Sequence, residues 1–142
     1  MQIVDDRLAL KALQGWRSPA WDFETPSISW LAHARLLRAL LGSSTTGSLS
    51  REAFEGALEA ALNPPSDVLQ VLDPRPYTAD AASLSISHSI PLLPAGMLAT
   101  AIRHGAAVHV HVRNFMDKWE HIVEGTGAVI HIHGDSETLG SL

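Results

Sequence analysis

Two short segments, AVHVHV at residues 107–112 and AVIHIH at residues 128–133, constrain the fold of this 142-residue chain more than any other feature. Each is apolar and rich in β-branched residues, and each follows a helical pattern that a glycine ends, at Gly105 and at Gly125. A helix, a short turn and a strand, twice in succession, are typical of βαβ units, whose strands are parallel and whose crossovers are right-handed. We therefore predict an α/β fold.

The first half of the chain extends this pattern. QIV at residues 2–4 reads as a short strand, and Asp6 is the expected cap of the helix that follows it. VLQVL at residues 68–72 reads as a second, buried strand. We predict three layers, α/β/α, with a parallel sheet of about four strands in one domain over residues 1–134 and a tail over 135–142. The segment 83–90 alternates like a strand but follows a helix-favouring stretch, and local patterns leave both assignments open.

A third helical pattern begins near Ser27, which we expect to cap it. Its apolar stripe is predicted to consist of Trp30, Ala34, Leu37 and Leu41. This phase points Arg35 and Arg38 away from the core.

Composition limits the class of protein. The formal net charge of −5 argues against broad, nonspecific nucleic-acid binding, although six of the ten basic residues lie within the first 51 positions. The chain has no cysteine, so any metal ligands must be His, Asp or Glu. Its first six residues, MQIVDD, include two acids where a signal peptide needs positive charge. It contains no apolar run of about 18 residues, the length that a membrane-spanning helix needs. We expect a cytoplasmic protein with no membrane contact.

The segments IVDDRLAL, RLLRAL and PLLPAGMLATAIRHGAAVHVHV, in this order, resemble the PIN-domain family. Its members are ribonucleases best known as bacterial toxins of toxin–antitoxin pairs. The resemblance implies an RNA substrate, an antitoxin-like protein partner, and Mg²⁺ or Mn²⁺ held by three or four acids at the carboxyl ends of parallel strands. Such ions need several hard oxygen ligands.

Only part of this acidic set is present. Asp5 follows the first strand, where the family has its first acid. The second family acid falls on Ala32 or His33, and the third falls near Pro94. The last falls within residues 112–114, where there is no acid, and the next carboxylate is Asp117, one turn further on. The resemblance therefore implies a PIN-like domain whose acidic site is partly lost.

The resemblance also assigns roles to the remaining candidates. Asp5, with Asp6 or Asp117, would hold the divalent ion, and Arg35, Arg38 and Asn114 would contact the substrate. The structural alternatives are a helix cap for Asp6 and, for Asp117, the third position of a capping box that Asn114 opens.

The four strand histidines form a second candidate site. On a strand, residues two apart share a face, so His109 pairs with His111 and His131 with His133. If the two strands are neighbours, two of these imidazoles could reach one Zn²⁺ or similar ion at roughly 2.0–2.1 Å. Alternatively, the rings are hydrogen-bonded or exposed near a sheet edge, or titrate together and make stability depend on pH.

No organic cofactor is indicated, because the chain has neither a glycine-rich phosphate loop nor a nucleophile elbow nor an HExxH helix. Three functions stay open at this point. The first is a PIN-like domain related to ribonucleases, with its activity either kept or lost. The second is a non-catalytic scaffold that binds another protein or forms a homo-oligomer through apolar surface near Trp16, Trp21 and Trp30. The third is metal binding through the histidine strands.

Overall fold

A computed structural model describes residues 1–46 and 50–135, with only the backbone described for 44–46. The predicted tail therefore lies outside the described residues, except for Asp135. The strands are β1 (Gln2–Val4), β2 (Ser27–Ile28), β3 (Gln70–Val71), β4 (Ala107–His111) and β5 (Val129–His133). The helices are α1 (Asp6–Leu13), α2 (Trp30–Thr46), α3 (Arg51–Leu62), α4 (Thr78–His88), α5 (Leu92–His104) and α6 (Lys118–Val123), and a 3₁₀ turn covers Pro19–Trp21.

The five strands form one parallel sheet in the order β3-β2-β1-β4-β5. β1 lies at its centre, with Val4 beside His109 on β4. The α/β fold with a parallel sheet is confirmed, but the sheet has five strands where we expected about four. The additional strand is β2, which sequence analysis placed at the start of a helix.

Helices cover both faces of the sheet, as predicted. Ile3 and Val108 pack against α4, α5 and α6 on one face. Val4 and Ile28 pack against α1, α2 and α3 on the other. The period-2 alternation of strand side chains divides the core in this way and gives the three layers.

The predicted register of α2 is wrong. Ser27 lies in β2, and it is Ser29 Oγ that accepts a hydrogen bond from the backbone N–H of Ala32, at 3.3 Å. The helix buries Ala32, Leu36 and Leu40, whereas Trp30 and Leu41 are 53% and 51% exposed. Because the helix starts two residues later than expected, its buried face is shifted around the axis.

Three further assignments change. Segment 83–90 is the last part of α4 up to His88, and the left-handed Ser89 ends the helix. VLQVL contributes only the exposed Gln70–Val71 at the sheet edge instead of a buried strand. Asp5, not Asp6, caps α1, since its carboxylate accepts from Leu8 N.

Helix α6 is also shorter than expected. Asn114 does not cap it, because the helix begins at Lys118 and follows Asp117, which makes no side-chain capping bond. No single helix within residues 1–46 and 50–135 is long and apolar enough to cross a membrane; α4 and α5 meet that condition only when counted together, and they are bent by 117°.

Candidate functional site

Asp5 lies at the carboxyl end of β1, in the middle of the sheet. From β1 the chain places β2 and β3 on one side and β4 and β5 on the other, so Asp5 stands where the strand order reverses. Open α/β sheets bind ligands at such a switch point. The backbone N–H of Asp5 donates to the His109 carbonyl at 3.2 Å and ties the residue to β4. β1 and the AVHVHV strand are thus parallel neighbours in the parallel sheet that the sequence predicts.

The Asp5 carboxylate is fully buried and bonded through both oxygens. Oδ1 accepts from Leu8 N at 2.9 Å, and Oδ2 accepts from His111 N at 2.7 Å and from Asn114 Nδ2 at 2.8 Å. Burial raises the pKa of this carboxyl, and these three hydrogen bonds oppose that rise by stabilising the ionised form. Asp5 therefore joins α1, β4 and the segment after β4.

Asp6 faces the same edge and is paired with a cation. Arg35 donates from Nε to Oδ2 at 2.9 Å and from the terminal NH2 nitrogen to Oδ1 at 2.7 Å. Asn114 Nδ2 also lies 3.3 Å from Asp6 Oδ1, so it bridges the two carboxylates. Arg35 is not part of the buried core, but its side chain, 39% exposed, is held against Asp6 instead of extending into solvent.

Two predicted site residues lie outside this network. Asp117 and Arg38 are both exposed. Over the described part of the chain, neither forms a hydrogen bond or ion pair with Asp5, Asp6 or Asn114. The structure thus brings together four of the six acid-site candidates: Asp5, Asp6, Arg35 and Asn114.

The strand histidines lie on the sheet face that carries α1. Across β4 and β5, His109 is beside His131 and His111 is beside His133. The rings of His109 and His131 are stacked, with centroids 4.7 Å apart and planes 7° from parallel. Trp21 packs edge-on against His109, and Trp16 packs edge-on against His133. His109 and His133 are buried, whereas His131 is exposed.

Hydrogen bonds fix how His109 is protonated. Gln2 Nε2 donates to Glu24 at 3.0 Å, so its Oε1 is the atom that faces His109 Nε2 at 2.6 Å. His109 Nε2 must therefore carry the proton, and its Nδ1 accepts from His133 Nε2 at 2.9 Å. This chain of bonds explains how a buried strand accommodates imidazoles in place of valines, since the rings satisfy one another.

Burial, together with the neighbouring His131 and His133, lowers the pKa of His109 to about 3. A protonated His109 would need a partner for its Nδ1–H in the place where His133 already donates. The buried ring is consequently neutral at physiological pH.

His111 has a carboxylate partner that sequence analysis missed. The backbone N–H of Arg113 donates to His111 Nδ1 at 3.2 Å, so Nε2 carries the proton and donates to Asp135 Oδ1 at 2.7 Å. This bond, with Arg113 nearby, lowers the pKa of Asp135. We had assigned Asp135 to the tail, and its proximity to His111 follows only from the register of β4 with β5.

Metal binding at either place stays a prediction. Residues 1–46 and 50–135 bring together no group of three or more His, Asp or Glu side chains that could hold a metal ion. The stacked rings of His109 and His131 face each other, so their nitrogens do not converge on one point.

An apolar groove of about 450 Å³ opens at the carboxyl ends of β2 and β3, and local sequence patterns did not reveal it. It lies between the start of α2, the segment after β3, and helices α4 and α5. Trp30 and Leu92, which line it, are 53% and 54% exposed. The remaining lining residues are Ser29, Leu31, Leu72, Asp73, Pro74, Tyr77, Thr78, Ala81, Ala82, Gly96 and Thr100.

Of the three tryptophans that we expected near an apolar surface, only Trp30 is exposed. Trp16 and Trp21 are 7% and 1% exposed and pack edge-to-face in the core, with ring centroids 5.0 Å apart. Trp30 therefore lies at the groove, whereas the exposed apolar side chains on the histidine strand β5 are Val129 and Ile132.

No protein-family model and no curated protein sequence matches this chain. Solved structures do. The protein PAE2754 from Pyrobaculum aerophilum is 18% identical, with a TM-score of 0.60 over 91% of this chain and 89% of that chain. A chain of a toxin–antitoxin complex from Klebsiella pneumoniae is 17% identical, with a TM-score of 0.50 over 91% of this chain and 96% of that chain. At these identities the shared property is the fold alone.

Proposed function

We propose that this chain is a PIN-like protein of the toxin–antitoxin type that binds an antitoxin-like protein through the apolar groove. The groove is the observation that carries the proposal. It is wide enough for large apolar side chains, it is lined mainly by apolar residues, and it exposes Trp30 and Leu92 at its surface. Half-exposed aromatic residues at the centre of such a surface are typical anchors of protein interfaces.

The fold supports this role, because a structure with the same arrangement is a chain of a toxin–antitoxin complex. The groove lies at the carboxyl edge of the sheet, where α/β proteins place their binding sites. A partner segment that inserts one or two apolar side chains beside Trp30 would bury surface that water now covers.

The test is co-expression of the chain with the product of the adjacent open reading frame, followed by size-exclusion chromatography and light scattering. Trp30→Ser and Leu92→Ser are expected to lose the complex. Ile86→Ser is the matched control, since Ile86 is 82% exposed on α4 and does not line the groove. A complex that survives both groove variants, or a homodimer of wild type that the same variants disrupt, would contradict binding of an antitoxin-like protein there.

The alternative is metal-dependent RNA cleavage. It is favoured by the position of Asp5 and Asp6 together at the switch point of the sheet. In that case Mg²⁺ or Mn²⁺ would be the cofactor and RNA the substrate. Incubation of RNA with wild type and with Asp6→Asn in Mn²⁺ separates the two functions. Cleavage by wild type that Asp6→Asn abolishes would establish the nuclease, and equal absence of cleavage agrees with the binding role.

A further inference from the structure

The Asp6 carboxylate is already fully engaged by a cation. Arg35 binds both of its oxygens, at 2.9 and 2.7 Å, in the two-pronged geometry that suits a guanidinium and a carboxylate. The Asp6 side chain is 14% exposed and that of Arg35 is 39% exposed. The pair therefore closes the solvent side of the acidic site.

Asp5 lies behind this pair and offers little to a metal ion. It is fully buried, and three N–H donors already occupy its oxygens. The Nδ2 group of Asn114 lies between the two carboxylates. This group is a hydrogen-bond donor and not an atom that can bind a metal ion.

The residues present do not fit the divalent ion that a PIN-like site implies. Mg²⁺ needs several oxygens at about 2.1 Å in near-octahedral geometry and sheds water reluctantly, and Mn²⁺ also takes several hard oxygen ligands. Here every Asp5 and Asp6 oxygen already accepts at least one hydrogen bond, and the guanidinium on Asp6 adds a positive charge that repels a second cation. A guanidinium cannot lose its charge at any physiological pH, so it cannot yield this place by deprotonation.

We infer that Arg35 is the resident cation of the acidic pair, replacing a divalent metal, and that its guanidinium makes the site independent of metal. Asp6, with its two oxygens released, would become a ligand for a hard divalent ion if Arg35 were removed. This inference concerns the acidic pair alone and does not rest on partner binding in the groove.

The experiment titrates Mn²⁺ against the full-length protein, with electron paramagnetic resonance reporting the free ion. Arg35→Met, which keeps an unbranched apolar stem and removes the guanidinium and its charge, is expected to bind Mn²⁺ at least about tenfold more tightly than wild type. The double variant Arg35→Met/Asp6→Asn is expected to lose this gain. Arg38→Met is the matched control, because Arg38 lies on the same helix, is exposed, and should leave Mn²⁺ binding at the wild-type level.

Two results would overturn the inference. One is a folded Arg35→Met protein, verified by circular dichroism, that binds Mn²⁺ no better than wild type. The other is wild-type protein that binds Mn²⁺ saturably and loses that binding in Asp6→Asn. The second measurement needs no Arg35 variant, so it tests the inference even if Arg35→Met does not fold. In that case Arg35→Gln replaces Arg35→Met in the first measurement.

Discussion

The burial of His109 predicts a specific loss of stability in acid. Folding lowers the pKa of this imidazole from its ordinary value of 6.5 to about 3. Between these two values the unfolded chain binds a proton that the folded chain does not bind. The contribution of His109 to the free energy of unfolding is therefore greatest above pH 6.5 and falls as the pH is lowered toward 3.

The size of the effect follows from the two pKa values. Linkage gives a slope of about 1.4 kcal/mol per pH unit well inside the window, and a loss of about 2 kcal/mol between pH 7 and pH 5 from this residue alone. At pH 5 the imidazole of the folded chain is almost entirely neutral. The size of the loss therefore depends mainly on how far the imidazole of the unfolded chain is protonated. Asp5 has a raised pKa and contributes with the opposite sign, because burial of its ionised form costs stability as the pH rises.

Urea denaturation at pH 7, 6 and 5 measures this loss. His109→Phe is expected to be less stable at pH 7, since it removes the acceptor for His133, but its stability should fall by about 2 kcal/mol less between pH 7 and 5 than that of wild type. His121→Gln is the control for the loss of one histidine, because that side chain is 81% exposed on α6 and is not packed in the core. Parallel pH profiles for wild type and His109→Phe would refute the reasoning.

Three further predictions concern stability and are checked by the same denaturation assay at pH 7. Asp5→Ala should cost about 3 kcal/mol, because it removes the cap of α1 and leaves buried N–H donors unpaired; a loss below 1 kcal/mol would contradict its structural role. Leu98→Ala should cost about 3 kcal/mol through the cavity left in the α5 core, where Leu98 is fully buried. Gly105→Ala should lower the free energy of unfolding by about 1 kcal/mol, because Gly105 has a φ of +57°. Gly56 lies in mid-helix with open space around it, so Gly56→Ala should raise the free energy of unfolding by a few tenths to about 1 kcal/mol.

The sequence predicts the last third of the fold well, because its signals there are local. Glycine ends α5, and the alternating valines and histidines that follow form β4 in the expected direction beside β1. In contrast, β2 has only two residues, and it is a strand because it pairs with β1 and β3 on its two sides. A short segment of this kind has no periodicity of its own to detect.

The candidate site is predicted less completely than the fold. Asp5 follows from its position after the first strand. The contact of Arg35 with Asp6 depends on where α2 begins, and the missed strand β2 displaces that start. The Asp135 partner of His111 and the groove arise from elements distant in sequence, so no local spacing encodes either.

The position of β1 has a consequence for how the chain acquires its structure. The middle of the sheet joins residues 2–4 to residues 107–109, so β1 is made long before its neighbour β4 exists. Closing so long a loop is slow, and it exposes the edge of β1 in the meantime. His111 lies 106 residues after Asp5, so that whole stretch must be made before the Asp5 carboxylate can meet the backbone N–H of His111.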